Sequence, residues 1–346
     1  MKSLTRYLSA LLLALMAPSA LALTPHDAHL LEQAAELGHL KARDTLHAAA
    51  HQGDAEGQLA YGIYLLNRHD YAPAAHWIRM AAEQGLPLAQ EFLGVMYHVG
   101  AGVPRNLARA QDWFEKSALQ GNANAQFNLV LFYAKGAGVP QDYAQAAAWC
   151  RKAAEAGDAS AQFYLGMLYA RGSGVPQDAA AAAAWFAKSA AQGNAQAQYN
   201  LGMLYARGLG VPRDLAQAAA WYGKAAEQGL ADAQARLALL YAEGRGVAQD
   251  YAQAARWYRA AAEQGMAVAQ VSLGVFYAYG AGLTPDPVRA YKWLALGKAA
   301  ASPHSDTYRL AELTLSHVAA SMPAAQIATA QYEVSAWSAA RRKEAR

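Results

Sequence analysis

Few side chains in this 346-residue chain stand at spacings that do chemistry. His47 and His51 lie four apart on a helical stretch, so both rings reach one side and would meet one metal ion. Spacing fixes no third ligand and no HExxH accompanies them, so no metal is assigned. Cys150 occupies a position that elsewhere holds Phe114, Phe186, Tyr222 and Tyr258, which reads as a buried small hydrophobe rather than a nucleophile. Turns such as Gly208-Leu209-Gly210-Val211-Pro212 imitate phosphate loops, but they follow helical stretches and lack the P-loop lysine. Nucleophile elbows and paired carboxylates are absent from the sequence, so it reads as non-catalytic and without cofactor. What remains is recognition. Lys135, Arg171 and Arg207 recur at one interval, with the amides of Asn128 and Asn200 beside them. Such a row suits an extended peptide carrying acidic groups or a terminal carboxylate.

The interval that spaces them is 36, and it governs the chain. Trp77, Trp113, Trp149, Trp185, Trp221, Trp257 and Trp293 mark seven copies. Gly85 to Gly265 and Gln90 to Gln270 keep the same step. A fixed period of this length is the signature of a helical solenoid. Counted from each unit's first glycine, Ala (+4), Leu (+8), Gly (+9) and Tyr (+12) share one helix face, as in Ala197, Leu201, Gly202 and Tyr205. A mid-helix glycine costs about 1 kcal/mol. Gly94, Gly166, Gly202 and Gly274 therefore imply that another backbone crosses closely; Val130 and Ala238 break this column. A Gly-x-Gly-Val-Pro turn, or a variant of it, closes the first helix of a full-length unit, helix A. Asp142, Asp178, Asp214 and Asp250 then stand where a second helix, B, needs its N-cap. Gln145, Gln217 and Gln253, three residues further on, give capping-box spacing. The first unit, Gly53–Gln84, is shorter, and its deletion falls near Asn67–Asp70.

The recurring AQxxLGxxYxxGxGV, Asp, Trp and AAxxG positions resemble the Sel-1-like repeat family, relatives of the tetratricopeptide repeats. The resemblance covers residues 53–300. It implies an all-α, αα-hairpin solenoid wound as a right-handed superhelix of seven repeats. It also implies an adaptor role: in assembly, in signalling or envelope processes, or in meeting host factors. One exported, cysteine-rich branch is linked to β-lactam binding; this chain lacks its paired cysteines, so that activity is not carried over.

Residues 1–22 read as a secretory signal peptide: Lys2 and Arg6, an apolar Leu8–Ala17, and Ala20-Leu21-Ala22 before the cut. The chain is thus identified as an exported bacterial member, periplasmic or secreted. Stable membrane insertion is not expected once the signal is cut. A balance of 29 basic against 26 acidic residues provides no concentrated basic face for nucleic acid. Residues 23–52 read as degenerate N-terminal capping helices and 301–346 as C-terminal ones, with Leu310, Leu313, Leu315 and Val318 as apolar positions of the latter. A monomer is expected.

The columns that repeat specify packing, so a binding surface belongs in columns that vary. On a helical wheel, +3, +7 and +14 form one stripe of helix A, expected to line the concave face. Its candidate contacts are Leu88, Phe92, Val99, Asn124, Asn128, Lys135, Tyr164, Arg171, Asn200, Arg207 and Arg236. Leu88, Phe92 and Val99 make an apolar patch, either an anchor pocket for a partner or the seat of the N-terminal segment. The alternative readings are an exported hydrolase, a cell-wall or β-lactam binder, and a host-factor-binding virulence protein.

Overall fold

A computed structural model describes residues 23–136 and 140–344. The signal peptide lies outside the described residues. The described residues hold eighteen α-helices and no strand. In order they are α1 (Pro25–Glu36), α2 (Leu40–His51), α3 (Ala55–Asn67), α4 (Tyr71–Glu83), α5 (Pro87–Val99), α6 (Leu107–Leu119), α7 (Ala123–Lys135), α8 (Tyr143–Glu155) and α9 (Ala159–Arg171). The series continues with α10 (Ala179–Ala191), α11 (Ala195–Arg207), α12 (Leu215–Glu227), α13 (Ala231–Glu243), α14 (Tyr251–Glu263), α15 (Ala267–Tyr279), α16 (Pro287–Ala300), α17 (Asp306–Ala320) and α18 (Ala324–Glu344). None of them is long and apolar enough to cross a membrane.

Two compact units divide these helices. The first runs to Ala161 and includes Gly172–Pro176; the second holds Gln162–Arg171 and the chain from Gln177 onward. In the first, α3 to α8 pack each on the next, and α1 lies on α2 and α3. In the second, α10 to α16 pack each on the next, with α17 against α15 and α16 and α18 against α16.

Each hairpin closes for reasons visible in one copy. Asn194 caps α11 through its side chain, and Gly208 ends the helix in the left-handed conformation at φ 69°. The second turn glycine, Gly210 at φ 71°, allows close backbone approach: a Cβ there would sit 2.2 Å from the Ala179 carbonyl carbon. The mid-helix column works differently from expectation. A Cβ on Gly202 would lie 2.8 Å from a ring carbon of Tyr222, and one on Gly94 or Gly166 2.7 Å from Phe114 or Phe186. These glycines make room mainly for the ring of helix B, and backbones cross closely at the turn glycine.

The break at Val130 has a local compensation. Val130 and Cys150 stand at the positions of Gly94 and Phe114, and both are fully buried. A larger residue on helix A is matched by a smaller one on helix B, which holds the volume nearly constant. Ala238 is fully buried in one cluster with Tyr258.

The helix-B caps form as half of a capping box. Asp214 accepts from the Ala216 and Gln217 amides at 2.9 and 3.0 Å. Its own amide donates to the Tyr205 carbonyl, not to a glutamine, and Asp142 and Asp250 do the same with Tyr133 and Tyr241. The preceding helix already satisfies that donor, so Gln217 has none to serve.

Polar bonds knit the stack. Gln198, buried, donates to the Ala190 carbonyl at 3.1 Å, and Gln234 and Gln270 repeat this toward Ala226 and Ala262. At the C-terminal end Leu310 and Leu313 are exposed, while Ala311, Thr314 and Val318 form the buried face of α17. Leu315 packs on the same side, so the i, i+3, i+4, i+7 stripe of Ala311, Thr314, Leu315 and Val318 is the core-facing side of α17.

Candidate functional site

The candidate residues sit where helix A meets solvent. In the first unit, Leu88 and Val99 are exposed on α5 and Phe92 is half-buried between them. The described N-terminal segment seats on α2 and α3, so it leaves Leu88 and Val99 open. On α7, Asn124 and Lys135 are exposed and Asn128 is half-buried.

In the second unit, Tyr164 is half-buried and Arg171 exposed on α9. Asn200 spends one side-chain hydrogen on the Gln196 carbonyl of its own helix, at 2.8 Å. Arg207 on α11 and Arg236 on α13 are both exposed, and they face one cleft of about 170 Å³. Its lining also includes the apolar Met203 and Leu239 and the buried Tyr222. Burial pushes the Tyr222 hydroxyl up to about 12, so it stays a neutral donor and acceptor. Glu243 at the rim is held by Arg245 at 2.8 Å. Among the described residues neither Arg207 nor Arg236 has an ion-pair partner. The cleft therefore offers apolar contact together with two uncommitted guanidinium groups, an arrangement for an acidic, partly apolar segment.

Met203 and Leu239 belong to a column that the variable-position reasoning passed over. Position +10 holds Val95, Leu131, Met167, Met203, Leu239 and Val275. It lies only about 20° from the +3 column on a helical wheel. It is apolar in every one of these copies. Val95 and Leu239 are nevertheless more than a third exposed. The wheel angle was the available signal: an apolar column inside an exposed stripe is a contact surface.

The outer face of helix B carries a second regular feature. Lys116, Lys152, Lys188 and Lys224 lie 3.9–4.1 Å over the rings of Trp113, Trp149, Trp185 and Trp221. The WxxK spacing in the sequence was sufficient to find it.

The sites with catalytic or metal-binding potential resolve simply. His47 and His51 do share a side, with their Nε2 atoms 3.1 Å apart, and both pack edge-on around Tyr61 or Trp77. Among the described residues no group of three His, Cys, Asp or Glu side chains converges. Cys150 is fully buried, donates its thiol hydrogen to the Ala161 carbonyl at 3.2 Å, and is pushed up to about 12 by burial. Such a thiol is inert.

The Sel1 repeat family matches residues 28–39, 55–86, 87–122, 123–158, 159–194, 195–230, 231–266 and 267–301. The chain is a member of the Sel1 repeat family. Among solved structures it is similar to a Sel1 repeat protein from Oxalobacter formigenes, at 33% identity over 84% of this chain and 86% of that one, with a TM-score of 0.66. It is also similar to c5321, a protective antigen present in uropathogenic Escherichia coli strains that displays the same fold. There the identity is 27% over 90% of this chain and 94% of the other, with a TM-score of 0.50. No curated protein matches. The match at residues 28–39 falls in the segment expected to hold degenerate capping helices, within α1 and the turn after it, and adds one to the seven repeats expected.

Proposed function

We infer that this Sel1 repeat protein is a non-catalytic interaction scaffold of the bacterial envelope or secreted fraction, and that it binds an acidic protein segment on the exposed stripe of its A helices. The carrying observation is the cleft that Arg207 and Arg236 line together with the apolar Met203 and Leu239. Repeat scaffolds act through such faces because each copy presents one set of variable side chains on a fixed frame. The exposed Leu88, Val95 and Val99 on α5 offer a second, apolar contact within the first unit. Export rests on Lys2, Arg6, the apolar Leu8–Ala17 and the Ala20-Leu21-Ala22 cleavage pattern.

The test places a photo-crosslinking amino acid at Leu239 in the native host. The partner so trapped is identified, and its acidic segment is titrated against purified protein. Arg207→Glu combined with Arg236→Glu should weaken that binding at least tenfold and leave the thermal midpoint nearly unchanged. Unaltered affinity, or a partner with no acidic segment, would overturn the reading. Amino-terminal sequencing of the exported protein should begin at Leu23; an intact Met1 in the cytoplasmic fraction would refute export.

A further inference from the structure

The B-helix side of the second unit holds a wider cleft, about 410 Å³, over Gly223. It is independent of the A-helix stripe. Gly223 is a glycine in the interior of α12, which costs about 1 kcal/mol relative to alanine. No neighbour demands it: a Cβ added there would meet nothing within 4 Å. The glycine leaves a space.

Neighbouring copies show what such a space holds. The residue two after the repeat tryptophan reaches the hydroxyl of the next helix's tyrosine. Arg79 donates to Tyr97 at 3.3 Å, and Arg259 to Tyr277 at 2.8 Å. In another copy Glu115 accepts from Tyr133 at 3.0 Å. A second arginine joins the first two: Arg109 donates to Tyr97 at 3.2 Å, and Arg289 lies over the Tyr277 ring. In the Gly223 copy both are missing, since Gln253 replaces that second arginine. Among the described residues no side chain bonds the Tyr241 hydroxyl.

The rest of the cleft matches a cation. Tyr241 and Trp257 supply aromatic surface, and Glu227 supplies a carboxylate. Trp257 also lacks the stacked lysine of other copies, because Ala260 stands in that place. Arg256 lies over Trp257 at 5.1 Å and adds positive charge. The Arg259 copy shows that this is tolerated: Lys292 occupies the place of Arg256, paired with Glu333, and Arg259 still reaches Tyr277. The copy at Ala187 also lacks the reaching side chain, but Ala191 and Ala220 replace Glu227 and Arg256 there. Only the Gly223 copy keeps the acid and removes the arginine.

We propose that the cleft over Gly223 takes the guanidinium of an arginine presented by a partner protein, in the place that Arg79 and Arg259 fill from within the chain. The guanidinium would donate to the Tyr241 hydroxyl and pair with Glu227, with the Trp257 ring beside it.

The experiment titrates the full-length mature protein with a blocked Gly-Arg-Gly peptide, its citrulline counterpart and free L-arginine. The readout is the indole N–H resonance of Trp257, assigned through Trp257→Phe. The blocked arginine peptide should shift that resonance, and the citrulline peptide should bind at least tenfold more weakly. Gly223→Arg should abolish the shift without lowering the thermal midpoint, since it restores the contact of the other copies. Should that variant misfold, Glu227→Gln must weaken the peptide at least threefold. Absence of a Trp257 shift, equal binding of citrulline, or undiminished binding to Gly223→Arg would overturn the proposal. Binding of free arginine alone would overturn the assignment to a protein partner.

Discussion

Gln228 donates its side-chain amide to the buried Gln198 oxygen at 2.7 Å, across thirty residues. Gln84–Gln58, Gln120–Gln90, Gln192–Gln162 and Gln264–Gln234 repeat the bond. Where alanine replaces the donor, at Ala156 and Ala300, the facing oxygens of Gln126 and Gln270 are buried without a partner. Ala156→Gln should therefore stabilise the first unit by about 1 kcal/mol, the worth of one hydrogen bond to a stranded acceptor. Chemical denaturation would measure it. The gain should vanish in a Gln126→Met background, as a double-mutant cycle requires if the pair is its source.

The two classes of helical glycine should respond with opposite sign. Gly223→Ala adds a Cβ in open space and should stabilise by roughly 0.5–1 kcal/mol. Gly202→Ala pushes a methyl to 2.8 Å from the buried Tyr222 ring and should cost about 1–3 kcal/mol. Thermal midpoints of the two single variants decide the matter.

Val130 and Cys150 should behave as a coupled pair. Cys150→Phe alone overfills the fully buried site and should destabilise by about 1–3 kcal/mol. Adding Val130→Gly recreates the glycine–phenylalanine pairing of Gly94 and Phe114 and should recover much of that loss. Simple additivity of the two single changes would show that the pair is not coupled.

Alkali should unfold the protein partly through these buried groups. The Cys150 thiol and Tyr222 hydroxyl are each pushed up to about 12 by burial, from ordinary values of 9.0 and 10.0. Raised values mean that the folded state holds protons the unfolded state releases. Their contribution is complete below about pH 9 and is lost as pH climbs toward 12. Cys150→Val should flatten stability against pH in this window, and thiol alkylation in the native state should track unfolding rather than exposure.

Arg341 closes the end of the array. It donates to the Glu263 and Gln264 carbonyls at 2.6 and 3.0 Å, at the C-terminus of α14. Arg341→Ala should remove ~1 kcal/mol of local stability and raise amide exchange in α18 about fivefold. Exchange in α10 should not change.

The repeat itself was legible from the sequence, because periodic side chains report periodic packing. The tryptophan step of 36, the turn glycines, the aspartate caps and the burial of Cys150 followed from residue type and spacing alone. Each depends on contacts inside one copy or between adjacent copies. The stripe of Leu88, Arg207 and Arg236 was placed on an exposed face by the same wheel geometry.

What the sequence left open depended on distances between helices. It implied a backbone beside Gly202, where the structure places the Tyr222 ring. It named no candidate in the +10 column, because a constant apolar residue looks the same whether it is covered or open. It named Leu310, Leu313, Leu315 and Val318 together as apolar positions of the C-terminal cap, where the structure exposes the first two and packs the other two on the core. The unpartnered Gln126 oxygen and the space over Gly223 each follow from a side chain that one copy lacks and other copies carry. Period shows which positions face each other; only tertiary structure sets the volume and hydrogen-bond partners left when one of them changes.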